Sequence, residues 1–369
     1  MKGSDLARRI RALFRTRAAL GLNPLAAPIM VFIPLGILLG PSAMGVISHG
    51  ALAHLDIVIS IALATLGVVI GIAAGREVRA AGRLLAAATI EAGITIAVVV
   101  GAVLILLQNW MLPLEIPFLL AALALGVCAS ASAAPPVDVG DERAAQIAGR
   151  VADLDDVLPI VLGGVVLAMA RPTELSSLAS TALTTGLGLA IGLCGWLLVE
   201  RAEVVAERAV FVLGTLAMLG GAPAYMGLSP LLTGMAAGVF WVAAPGRCDA
   251  IVARELRKVQ HPIVVLVLIT AGASLQLTTA GIWLLAPYVI FRSAGKILGG
   301  WTASRLAPGI APSDLGAYLI PPGVIGIAFA LNLQQVAHEP VRSLVFAVAI
   351  GAIASETLAL VVTPKPRPA

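Results

Sequence analysis

Twelve apolar segments, each close to the length of a bilayer, follow one another along almost the whole chain, and this leaves few folds open. They lie near 24–41, 54–74, 82–108, 115–135, 147–170, 178–199, 205–223, 227–244, 261–277, 280–304, 312–333 and 341–362. A membrane-spanning helix needs roughly 20 predominantly apolar residues. Hydrophobic residues make up 59% of the 369 and charged residues 12%, about half the charged share of a soluble protein. A water-soluble core cannot hide that much apolar surface, so lipid is part of the solvent and helices satisfy the backbone inside it. The predicted fold is all-α and integral to a membrane, with about 12 transmembrane helices. No extramembrane domain of useful size is left over, which argues against a receptor or a fused enzyme.

The basic residues orient these helices. Residues 1–23 form a basic arm, with Lys2, Arg8, Arg9, Arg11, Arg15 and Arg17 interleaved with Leu6, Ile10, Leu13 and Phe14 at helical spacing. That pattern predicts a short helix lying on the cytoplasmic leaflet. No small-residue cleavage site closes the apolar run that follows, so a signal peptide is disfavoured. With the N-terminus inside, 20 of the 24 Lys and Arg residues fall in inside loops, only Arg171 and Arg342 fall outside, and Arg292 and Lys296 lie within the tenth segment. Such asymmetry predicts both termini in the cytoplasm of a multi-pass inner (plasma) membrane protein. It also accounts for the net charge of +4 without invoking nucleic acid. Cys128, Cys194 and Cys248 are too scattered for a metal or redox motif and read as packing residues. Gly67, Gly71 and Gly75, four apart, predict close helix packing.

Ionisable groups at membrane depth cost at least about 2.5–3.5 kcal/mol each, so the few present are functional candidates. They are Glu91 in segment 3, Asp153, Asp155 and Asp156 in segment 5, Arg292 and Lys296 in segment 10, and Glu356 in segment 12. Asp155 and Asp156 are adjacent, which on an uninterrupted helix points them about 100° apart. One can then face a basic partner and the other a water-filled cavity. Neighbouring carboxylates repel and burial disfavours their charged form, so the pair suits a site that holds either a proton or a small cation. Asp153, nearer the surface, reads as a solvated helix-start residue. Lys296 and Arg292 are four apart on one helix face. A buried lysine needs a carboxylate, and Asp155 is the expected partner. Glu91 and Glu356 read as structural acids bonded to neighbouring helices, or as groups that tune the charge of the site.

Two segments look broken. The fourth ends with Ser130 and Ser132 before Pro135 and Pro136, and the eleventh holds Pro321, Pro322 and Gly323 at its middle. Proline removes a helix donor and glycine loosens the backbone. Discontinuous helices at corresponding positions of two repeats mark the substrate site of many transporters. The hydroxyls of Ser130 and Ser132 add oxygen ligands of the kind hard cations prefer.

Three stretches give the chain a family resemblance. Residues 36–45 (GILLGPSAMG) with 66–77 (LGVVIGIAAGRE), residues 152–158 (ADLDDVL) and residues 295–299 (GKILG) resemble the cation:proton antiporter superfamily, in its branch with two adjacent aspartates. The resemblance implies inverted repeats with crossed discontinuous helices 4 and 11. It implies a core of helices about 82–170 and 280–362 moving against scaffold helices about 24–74 and 178–277 of a homodimer, all within one transmembrane domain over 24–369. On it, Asp156 carries the cation or proton, Asp155 pairs with Lys296 when the ion is absent, and Ser130 stands at the helix crossing. The basic arm stands where many members have a further helix, and Pro322 stands where the family commonly has an arginine.

The expected function is exchange of Na+ or K+ for protons, with membrane lipid and a second copy as partners, and no cofactor. If Lys296 also releases a proton when Asp155 leaves it, two protons move per cation. A cation-coupled symporter of an organic anion is the alternative; it predicts a basic pocket, and only Arg292 and Lys296 could build one. A channel needs no titrating pair. An intramembrane aspartyl protease needs its carboxylates on opposed helices, and here both sit on one.

Overall fold

The computed structural model describes residues 28–80, 82–110, 114, 116–134, 142–171, 176–306, 311–337 and 341–362; the basic arm over 1–23 lies outside them. The helices, in order, are α1 Pro28–Leu39, α2 His49–Arg79, α3 Arg83–Trp110, α4 Phe118–Ser130, α5 Glu142–Leu154, α6 Val157–Met169, α7 Ser177–Arg201, α8 Val205–Tyr225, α9 Pro230–Ala243, α10 Cys248–Ala273, α11 Thr279–Leu306, α12 Leu315–Tyr318, α13 Val324–Ala337 and α14 Arg342–Val362. Seven of these are long and apolar enough to cross a membrane, and α1, α4, α9 and α13 are shorter apolar helices. The remaining apolar segment, the fifth, is the pair α5 and α6. The molecule is thus an all-α, multi-pass membrane protein.

Hydropathy misplaced one boundary badly. The ninth segment begins at Cys248 rather than near 261. Its first half carries Arg254, Glu255, Arg257 and Lys258, which lower the apolar signal while Glu255 and Lys258 pair along the helix at 2.6 Å. Charge pairs three or four apart support a helix that hydropathy does not register.

The fifth segment is not one continuous helix. It is interrupted at Asp155 and Asp156, between α5 and α6. Proline cannot donate a backbone hydrogen bond and its ring crowds the carbonyl four residues back, and Pro159 stands four residues after Asp155. The expectation of an unbroken helix overlooked that proline. Fourth and eleventh segments break as expected: α4 stops at Ser130 and runs on extended, and α12 and α13 flank an irregular stretch over 319–323.

Small residues bring α2 onto α9. A Cβ on Gly71 would collide with the Met235 carbonyl oxygen, and one on Gly75 would fall 2.9 Å from the Val242 side chain. Gly234 and Gly238 of α9 lie in turn on the backbone of α2 at Ala64 and Val68. Gly71→Leu should therefore destabilise the protein by about 1–3 kcal/mol or more, read as a lower thermal midpoint in detergent. Gly101→Leu, at a position with open space around it, should be neutral by the same measurement.

At one end of the bundle, Arg76 pairs with Asp249 at 2.8 Å and Glu77 with Arg150 at 2.9 Å, tying α2 to α10 and to α5. The outer faces of α7 and α8 expose Leu189, Leu193, Leu197, Val210 and Leu213, as helices bordered by lipid do. All three cysteines are free; Cys128 and Cys248 are buried, but Cys194 is exposed on α7 and does not pack inside.

Candidate functional site

The two interrupted segments meet in the interior. Ser132 and Pro322 form an antiparallel bridge, closed by Ala133 N–H to Pro321 O at 2.9 Å and Gly323 N–H to Ala131 O at 3.1 Å. The Ser132 hydroxyl donates to Leu319 O at 3.0 Å. Gly323 is required here: a Cβ would lie 2.6 Å from Ser132 O. Two extended segments thus meet where each leaves its helix.

A helix that stops inside a protein exposes carbonyls with partial negative charge. Both cations of α11 answer this. The Arg292 guanidinium donates to Ala129 O and, at 3.2 Å each, to Ile320 O and Pro321 O. The Lys296 ammonium donates to Ser130 O. Both side chains are fully buried.

Lys296 is also shared by two carboxylates. Its Nζ lies 2.9 Å from Asp155 Oδ2 and 3.1 Å from Glu91 Oε2, with all three side chains inaccessible to solvent. The pairing with Asp155 is as expected from the sequence. Glu91 does bond a neighbouring helix, but through Lys296, which places it inside the charge cluster. Arg292, for which the sequence named no partner, clasps backbone carbonyls of both broken segments and pairs with no carboxylate among the described residues. Its Nε finds no partner. Glu356, on α14, is buried within electrostatic reach of Arg292.

Asp156 stands apart from these pairs. It is buried, occupies the N-cap position of α6, and, like Asp155 Oδ1, its Oδ1 has no hydrogen-bond partner among the described residues. Buried polar atoms almost always find partners, so an orphan carboxylate oxygen marks a place for a proton or a cation. Asp153 is exposed, but it stands in the last turn of α5 rather than at a helix start, because the helix runs from Glu142 to Leu154. Ser130 and Ser132 are buried at the crossing, yet the Ser130 hydroxyl donates back to Val127 O at 2.9 Å. Their protons are spent on carbonyls, and only oxygen lone pairs remain for an ion. One candidate ligand was missed: the Asp155 carbonyl, to which Pro159 can return no helical N–H.

Four buried carboxylates (Glu91, Asp155, Asp156 and Glu356) therefore meet two buried cations. Were all four ionised, the site would be short of positive charge, and a proton or metal cation would reduce the deficit. Arg292→Gln should cost on the order of 3 kcal/mol, because carbonyls of two broken segments lose a charged donor, measured as thermal stability in detergent.

Away from the crossing, a cavity of about 530 Å³ opens between the loop after α1, helices α2, α10 and α13, and the start of α14, lined in part by His49, Asp56, Gln276, Gln334 and Arg342. It lies toward the His49 end of α2, opposite the end that carries Arg76 and Glu77.

No family model and no curated protein matches the sequence. Among solved structures, the chain is similar to the sodium proton antiporter MjNhaP1 from Methanocaldococcus jannaschii at pH 8, with a TM-score of 0.62, 16% identity and 96% of each chain covered. At that identity the likeness establishes the fold: this chain is built, nearly end to end, on the architecture of that antiporter.

Proposed function

We propose that this protein is a secondary active transporter that exchanges a monovalent cation, Na+ or K+, for protons, with Asp156 and Asp155 as the shared site. One observation carries the reading. Asp155 is held by Lys296 at 2.9 Å through one oxygen, whereas among the described residues no cation pairs with Asp156, and Oδ1 of each aspartate is buried without a hydrogen-bond partner. Burying a lone carboxylate charge is costly, so Asp156 is favoured when neutralised by a proton or by a small cation, and the two compete. The loaded site crosses the low-dielectric barrier and the empty, charged one does not, which couples the two fluxes. Lone pairs of Ser130 and Ser132 and the Asp155 carbonyl are further oxygen ligands for a hard cation. The architecture shared with a sodium proton antiporter supports the same reading.

Three further parts belong to the proposal. The end rich in Lys and Arg faces the cytoplasm of an inner membrane, with both termini there, so the cavity near Asp56 opens outward as an entrance. Helices over 82–170 and 280–362 move as a core against a scaffold over 24–74 and 178–277. That scaffold dimerises with a second copy through its lipid-facing surfaces. Symport of an organic anion is less well supported, because Lys296 and Arg292 are already engaged by carboxylates and carbonyls. The test is fluorescence dequenching of an imposed pH gradient in vesicles on addition of sodium, potassium or lithium. Recovery with at least one cation is expected, and none with any would overturn the proposal.

A further inference from the structure

The cleft between core and scaffold is open at one end of the bundle and shut at the other. At the His49 end, the cavity of about 530 Å³ lies between Gln334, Gln335 and Arg342 of the core helices α13 and α14 and Leu52, Asp56 and Gln276 on the scaffold side. At the opposite end the same two parts touch. Arg150 of α5 donates to Glu77 of α2 at 2.9 Å. One turn back along α2, Ala74 joins a buried apolar cluster with Ala144, Ala148 and Val151 of α5 and Leu84 and Ala88 of α3.

The ion pair is placed both to hold and to release. Glu77 stands on a fixed support, because its neighbour Arg76 bonds Asp249 Oδ2 through Nε at 3.2 Å and Nη2 at 2.8 Å, which ties the end of α2 to α10 within the scaffold. Arg150 rides on α5, whose last turn runs into the aspartate pair. The Glu77 side chain is 10% exposed and that of Arg150 62%. Because the carboxylate is shielded, the pair holds more firmly than one in open solvent. Because the guanidinium already reaches solvent, parting the two strands no cation in the interior, as parting a fully buried pair would.

We propose that Glu77 and Arg150 form a latch between scaffold and core, which closes the cytoplasmic end of the cleft while the opposite end is open and parts each time the core moves. This rests on the antiporter reading and names the contact that holds one of its two access states. Loss of either charge favours the state in which the cytoplasmic end is open. The apolar contact around Ala74 then separates with the pair, since α5 carries both Arg150 and the side chains that cover Ala74.

The test reads access to the closed end directly. Ala74→Cys, on a Cys194→Ser background, places a thiol beside the latch, and a water-soluble maleimide should label it slowly in the full chain in detergent. Glu77→Gln and Arg150→Gln should each raise that rate about fivefold, the shift expected of a partly shielded ion pair. The exchanged pair, Glu77→Arg with Arg150→Glu, should bring the rate back down, a rescue that a residue serving only to fill space would not show. Cys128 and Cys248, buried in other clusters, should stay unlabelled throughout. An unchanged rate in both single variants would overturn the proposal, as would an exchanged pair that labels as fast as they do. An equal rise at Cys128 or Cys248 would also overturn it, since the fold as a whole would then have loosened. A second arm joins Glu77→Cys to Arg150→Cys with a short reducible linker that reacts with both thiols. Exchange in proteoliposomes should stop in the joined protein and return on reduction, and a joined protein that exchanges at the unjoined rate would overturn the latch. The labelling needs no ion flux, so a chain that labels as expected yet exchanges neither sodium, potassium nor lithium fails the antiporter reading and not the latch.

Discussion

Asp156→Asn should reduce cation:proton exchange at least about 100-fold, a loss of roughly 2.7 kcal/mol of barrier lowering, while leaving the fold intact. The amide matches the carboxylate in size but carries no charge and does not titrate. It therefore removes the competition between a proton and a cation at one stroke. Stability should not suffer, because the Asp156 Oδ1 has no hydrogen bond to lose. Burying a neutral amide is also less costly than burying an unpaired carboxylate. The measurement pairs dequenching in vesicles with thermal unfolding in detergent on the same preparation. A variant that exchanges as fast as the wild type would remove Asp156 from the mechanism. One that is inactive but grossly unstable would point to a structural role instead.

Lys296→Met should have the largest effect on stability. The thioether fills the space, but Asp155 and Glu91 are left as two buried charges without a counter-ion, and Ser130 O loses its donor. Breaking a buried pair by deleting one partner typically costs 3–5 kcal/mol, whereas neutralising all its members is often nearly neutral. The triple variant Lys296→Met with Glu91→Gln and Asp155→Asn should therefore recover most of the loss. The two should be compared by thermal midpoint in detergent. Non-additivity is the informative quantity, since residues in direct contact couple. Equal destabilisation of the single and triple variants would mean that the three groups do not act as one electrostatic unit.

Much of this site was legible along the chain, and for local reasons. Asp155, Asp156, Lys296 and Glu91 declared themselves because charge inside an apolar run is costly wherever the run packs. The broken segments declared themselves through Pro321, Pro322 and Gly323, whose backbone chemistry acts within one helical turn. The break at the aspartate pair was equally written in Pro159, four residues after Asp155, whose missing N–H leaves the Asp155 carbonyl without a helical donor. The start of α10 was hidden because charged pairs such as Glu255 and Lys258 sustain a helix while lowering its hydropathy.

Partnership was a different matter. Lys296 meets Glu91 from 205 residues away and Asp155 from 141, and no periodicity reports which helices will touch. That choice was made by packing: Gly295 and Gly299 let α3 settle onto α11, and the strands at Ser132 and Pro322 bring the broken segments together. Likewise Arg292 was visible as a buried charge, but its role as a clasp on carbonyls required those carbonyls to be brought within its reach. Sequence by itself determined which groups are costly to bury and where helices must stop, because those energies are local. Only the tertiary structure decided which opposite charges and orphan carbonyls offset each cost, because that depends on distances set by how whole helices pack.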